Sequence, residues 1–143
     1  MDELETLRKL IEEQDYSAAL SLIDEMDEMA KDDKITKVES FLAVLLIHII
    51  KQKAESRITS SWQRSINHAL FGIFKSNKRR SAGGFYLSPD ELKNAINESF
   101  SFSLKEASEE AFGGAYKADQ LITMIDADQI KQEAFDRIMA YRP

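Results

Sequence analysis

The sequence predicts an all-α fold, a single-domain bundle of five or six helices around a buried central helix at about residues 35–53. Three observations carry that expectation. The run Val38–Lys53, VESFLAVLLIHIIKQK, is apolar at every position from Phe41 to Ile50 except His48; at ~3.6 residues per turn it is apolar on all sides and calls for neighbours all round. Five glycines and two prolines, one of them Pro143, leave few helix breakers. Elsewhere, apolar residues recur at three- and four-residue spacing, the period of a helix with one face on a core. A chain of 143 residues fits one domain, and at that size folding buries roughly two-thirds of the unfolded surface.

Taken in order, Leu4, Leu7, Leu10 and Ile11 predict an amphipathic helix over residues 2–13. Gln14-Asp15 interrupts it. Asp15 or Ser17 can cap the next helix, which places Tyr16, Ala19, Leu20, Ile23, Met26 and Met29 on one face and Asp24, Asp27 and Glu28 on the other, to about residue 30. Lys31–Lys34, KDDK, reads as a polar turn before the central helix. Ala54–Ser61 is a polar link, and Ser60 or Ser61 can cap a helix carrying Trp62, Ile66, Ala69, Leu70, Ile73 and Phe74.

Lys75–Gly84, KSNKRRSAGG, holds four bases and two glycines, so a mobile basic loop is expected at about residues 75–87. Ser88-Pro89-Asp90-Glu91 then combines a serine cap, proline in the first turn and glutamate three residues after the cap. A helix should follow through Leu92, Ile96, Phe100 and Leu104 until Gly113-Gly114 stops or bends it. Ala115–Met124 fits a short helix, and Asp126 can cap a last one bearing Ile130, Ala134, Phe135, Ile138 and Met139.

Composition narrows the function classes. The chain has no cysteine, which removes disulfides, thiolate metal sites and a cysteine nucleophile. The start, MDELETLRKLIEE, lacks the apolar core of a signal peptide, and the ten-residue run in the central helix falls short of the ~20 residues that cross a bilayer. A soluble, cytoplasmic protein with no membrane contact is expected. The net charge of -6 is unevenly spread: residues 1–30 carry ten acids and two bases, residues 51–80 eight bases and one acid, and residues 81–143 eleven acids and six bases. Such a basic middle between acidic flanks suits either neutralisation within the folded bundle or a basic face for an anionic partner.

Candidate sites follow from these patterns. Asp24, Asp27 and Glu28 form an acidic helix face suited to a protein partner, and the i, i+3 pairs Glu25/Glu28 and Asp24/Asp27 have the spacing of helical metal carboxylates. The Glu-x-x-His that such a bundle site requires is missing at both histidines, so no metal is assigned. Arg57, Arg64, Lys75, Lys78, Arg79 and Arg80 are the candidate anion or nucleic-acid contacts, able to support weak, salt-sensitive binding. His48 shares a stripe with Phe41, Val44, Leu45 and Gln52, which suits a core histidine whose ring nitrogens find a carbonyl or a side-chain partner. No phosphate loop, calcium loop, nucleophile elbow or zinc-protease motif occurs, so neither catalytic residues nor cofactors are assigned.

The segments LIDEMDEMA, VESFLAVLLIHIIK and SSWQRSI together resemble the bacterial, largely cyanobacterial, family catalogued as Domain of Unknown Function 29, over roughly residues 7–75. Its motif positions fall on Glu25, Glu28, Glu39, Ser40, Leu46, His48, Lys51, Ser61, Trp62 and Ile66. The chain departs from the family pattern at Gln14 and Ala30, where glycines are usual, and in the plain link from Gln52 to Ser60. The resemblance implies a helical bundle and marks Glu39, His48, Lys51 and Trp62 as an interior polar cluster. Composition and motif content point to a non-enzymatic protein-interaction module of the antitoxin or immunity type. The alternative is a nucleic-acid-associated protein using residues 51–80, and a third is a small hydrolase or nuclease using His48 with Glu39 or Lys51.

Overall fold

Helix starts are set by side-chain caps. Asp2 Oδ1 accepts from the Glu5 amide at 2.8 Å to open α1, Glu3–Glu12, and Asp15 Oδ1 accepts from the Ala18 amide at 3.2 Å at the head of α2, Tyr16–Glu55. The Trp62 amide donates to Thr59 Oγ1 at 3.1 Å, opening α3, Ser60–Asn77. Ser88 and Glu91 form a reciprocal capping box ahead of α4, Pro89–Glu110. Asp126 caps α6, Ala127–Ala140, through the Gln129 amide. Between α4 and α6 lie a 3₁₀ turn at Ala111–Gly114, the short α5, Ala118–Leu121, and a second 3₁₀ turn at Ile122–Met124. This computed structural model describes residues 2–79 and 83–143, and among them the protein is an all-α helical bundle with no strands.

Three expectations about element ends are corrected. The turn expected at Lys31–Lys34 does not occur, and the helix assigned to about residues 35–53 is the second half of α2. KDDK contains neither glycine nor proline, and Asp33 precedes Lys37 by four residues, the order that favours helix. The cap of α3 is Thr59 rather than Ser60 or Ser61. The basic loop also begins later than expected, because Lys75–Asn77 complete α3.

The chain forms two compact units, Met1–Lys34 and Ile35–Pro143, with the division inside α2. In the first unit burial is slight: α1 buries no residue, and the early part of α2 buries Ala19. α1 ends with Gln14 at φ 61°, the Gln14 amide on the Ile11 carbonyl and the Asp15 amide on the Leu10 carbonyl. That is a Schellman ending with glutamine where glycine is the unstrained choice.

The second unit holds the core. Val38, Leu42, Leu45, Leu46, Ile49 and Ile50 of α2 are completely buried, and they join Ile66, Ala69, Leu70 and Ile73 of α3 in one cluster with residues of α4, α5 and α6. Phe41, Val44 and Ile47 are only partly buried against that cluster, so the helix is dry on one broad side rather than all round. α3 lies very close to α2 at Gly72, where an added Cβ would sit 2.6 Å from the Phe41 ring. After α3 the chain returns through an isolated antiparallel bridge between Lys78 and Phe85. Buried Asn77 pins that return, accepting from the Tyr86 amide on its carbonyl at 2.8 Å and from the Leu87 amide on Oδ1 at 2.9 Å.

Two substitutions test these contacts by urea unfolding. Gly72→Leu should lower stability by about 2 kcal/mol through overpacking against Phe41, and Phe41→Ala in the same chain should recover part of the loss; equal losses with and without Phe41 would show that the ring is not the obstacle. Gln14→Gly should stabilise the α1 ending by roughly 0.5–1 kcal/mol by relieving its positive φ, read as slower amide hydrogen exchange in residues 3–15.

Candidate functional site

The last turns of α2 carry three charged side chains, Lys51, Lys53 and Glu55, and each reaches a different partner. Lys51 is only 5% exposed. Its ammonium lies 3.7 Å from Glu110 Oε1 on α4 and 4.7 Å from the centre of the Trp62 ring on α3. Lys53 pairs with Glu133 of α6 at 3.0 Å, and Arg137 holds the other oxygen of that carboxylate at 3.5 Å. Glu55 accepts from Arg57 Nε at 3.0 Å and, on its second oxygen, from the Phe112 amide at 3.2 Å. Phe112 and Gly113 both have positive φ there, so Glu55 satisfies the backbone at the sharp exit from α4.

Trp62 is the centre of this group. Thr59 fixes its backbone in the first turn of α3, and the Arg57 guanidinium lies 5.0 Å from its ring centre, making a second cation–π contact beside Lys51. Of the expected interior cluster, the structure brings Lys51 and Trp62 together. His48 is half-buried, and its Nδ1–H donates to the Val44 carbonyl at 2.8 Å within the same helix. Glu39 is exposed and nine residues before His48, on the opposite side of α2, so it does not join them. Glu55 and Glu110 complete the group and were missed by sequence reasoning. One signal was available for Glu55, the single acid among the eight bases of residues 51–80.

The candidate anion contacts separate into three sets. Arg57 belongs to the tryptophan group. Arg64, Lys75 and Lys78 lie along the exposed side of α3, with Lys75 5.9 Å from the Phe71 ring centre and Lys78 5.7 Å from that of Phe74. Arg79 covers Tyr86 at 5.2 Å, and Arg80 lies outside the described residues.

The acidic candidates Asp24, Asp27 and Glu28 are all exposed. Their surroundings are unexpectedly apolar, because Leu4, Ile11, Tyr16, Leu20, Ile23 and Met29 are exposed as well, Leu20 by 62%. Among the described residues no group of three or more histidines and carboxylates is placed to hold a metal ion, and no helix is long and apolar enough to cross a membrane.

Comparison with known families decides the relationship. The family described as Domain of unknown function DUF29 matches residues 4–76, which is just over half of the 143-residue chain. The chain belongs to the DUF29 family. No curated protein and no solved structure matches it. The DUF29 segment contains most of α1, all of α2 and α3 through Ser76, and with them the His48, Lys51 and Trp62 positions. Glu110 and Phe112, which close the tryptophan group, lie beyond the matched segment of this DUF29 protein.

Lys51 can be tested without breaking its packing. Because Glu110 is 55% exposed and 3.7 Å away, the ion pair is worth at most about 1 kcal/mol. Lys51→Met, which keeps the stem and removes the charge, should change stability by less than about 1 kcal/mol in either direction. Lys51→Ala should cost about 2 kcal/mol or more through lost packing. Urea unfolding followed by the fluorescence of the single tryptophan, Trp62, reads both; a loss above about 3 kcal/mol for the methionine variant would show that the cation itself is required.

Proposed function

We propose that this DUF29 chain is a non-enzymatic protein-interaction module, docking through the acidic, apolar-striped surface of residues 2–34. One observation carries the reading. Six large apolar side chains, Leu4, Ile11, Tyr16, Leu20, Ile23 and Met29, face solvent in a segment whose first thirty residues hold ten acids and two bases. An exposed amphipathic surface of that kind suits partner docking, with the apolar side chains supplying affinity and the acids steering approach.

The chemistry of the partner follows from the surface. It is a polypeptide with an apolar centre and a basic rim, engaged by Asp24, Asp27 and Glu28 in the manner of an antitoxin or immunity protein. The spacing of Tyr16, Leu20 and Ile23 supplies helix-in-groove anchors.

Capture from a nuclease-treated lysate of the native host tests the reading when the wild type is compared with two surface variants. Leu20→Glu/Ile23→Glu should lower the affinity for a stoichiometric protein partner by at least about 30-fold, the effect of losing a hot spot of about 2 kcal/mol. Asp24→Asn/Glu28→Gln should slow association and flatten its dependence on salt. Circular dichroism should show unchanged helicity, because all four positions are exposed. Equal capture by wild type and both variants would overturn the proposal.

A further inference from the structure

A surface with the chemistry required of the partner lies on α3 of the chain itself. Arg64, His68, Phe71, Lys75 and Lys78 are all exposed and follow one another at spacings of four, three, four and three residues. Arg64, His68, Phe71 and Lys75 therefore form one strip along α3, opposite the buried Ile66, Ala69 and Ile73, and Lys78 continues it at the C-terminal cap. Phe71 stands at its centre, 47% exposed. The strip has no acid, and Glu55, the only acid in residues 51–80, is engaged by Arg57 and the Phe112 amide.

The complementary strip lies on the first half of α2. Tyr16, Leu20, Ile23 and Asp27 follow at spacings of four, three and four, so Asp27 is in line with the apolar residues rather than on the opposite face, and Asp24 and Glu28 run along one flank. At 1.5 Å per residue, the strip from Tyr16 to Glu28 is about 18 Å long and that from Arg64 to Lys78 about 21 Å. Length, apolar content and sign of charge all correspond. Like-on-like pairing of the acidic strips would set the four acids of residues 16–28, which include no base, against the same set, which charge repulsion opposes.

We propose that residues 16–28 of one copy dock along α3 of a second copy, each copy supplying one acidic and one basic strip. This rests on the reading of residues 2–34 as a docking surface and names the partner. A nucleic acid is the poorer occupant of α3, because a chain of net charge -6 repels a polyanion and a phenylalanine at the middle of the strip contributes nothing to phosphate contact.

Charge exchange tests the pairing on the full chain by sedimentation velocity from about 1 µM to about 200 µM protein. The wild type should be dimeric at about 0.05 M salt and dissociate toward about 1 M, where screening is nearly complete. Asp24→Lys/Glu28→Lys and Arg64→Glu/Lys75→Glu should each be monomeric while retaining wild-type helicity. An equimolar mixture of the two should restore a dimer at least about tenfold tighter than either variant forms alone, because both reversed strips again face opposite charge. A monomeric wild type at every concentration, or a dimer indifferent to both variants, overturns the proposal. So does retention of RNA by α3 that Arg64→Glu/Lys75→Glu abolishes while self-association persists. A monomeric wild type whose foreign partner is still lost with Leu20→Glu/Ile23→Glu overturns self-pairing alone and leaves the docking surface in place.

Discussion

One side of α2, bearing Val38, Leu42, Leu45, Leu46, Ile49 and Ile50, must be kept entirely from water, and the larger unit is arranged to do so. Each such side chain gains roughly 1.5–3 kcal/mol by full burial, an upper estimate because the unfolded chain is already partly collapsed. No single helix can cover a side of that width. The cover comes from α3 at close range over Gly72, from α4 through Leu92, Ile96, Phe100 and Leu104, and from Leu121, Ile130 and Ala134. Where the apolar run ends, the polar tail of α2 fixes the surrounding elements through Lys51 to Glu110, Lys53 to Glu133 and Glu55 to the Phe112 amide. Hydrophobic cover decides which elements gather, and these directional contacts decide how they are aligned.

The family match ends at residue 76, yet the core it contains does not. The second half of α2 and α3 supply one wall of the apolar cluster, and the opposite wall comes from residues 87–134. The carboxylate that faces Lys51 is also outside the match. The matched segment therefore holds part of a core that residues beyond it complete. The polar end of α2, through Lys51, Lys53 and Glu55, contacts the helices that follow. Lys51 and Arg57 both lie over the Trp62 ring.

The sequence disclosed those features that depend on local spacing. The Ser88 capping box, the Asp15 and Asp126 caps and the stripes of α3, α4 and α6 are all three- or four-residue relationships, and each is present; the stripe expected on α1 forms a helix but buries no residue. The bond from His48 to the carbonyl of Val44 is local too. What remained hidden depends on distance or on context. Polar KDDK looks like a turn, but a fully solvated helix presents the same composition, and only the lack of a breaker separates them. Glu55 meets Phe112 across 57 residues, a relation that no periodicity carries. Periodicity likewise identified the stripe of Tyr16, Leu20 and Ile23 but could not show that the structure leaves it uncovered.

The long separation between α2 and its cover has a consequence during synthesis. Ile50 leaves the ribosome about 80 residues before Ile130, which at roughly 5–20 residues per second is an interval of about 4–16 s. Through that time the driest surface of the finished protein is attached to a chain that cannot yet enclose it. A nascent DUF29 polypeptide of this length therefore presents a helix-forming, strongly apolar segment to the exit-site environment before its native shield exists. Because the covering helices come later in the chain, the apolar side of α2 stays open to water for the length of that interval.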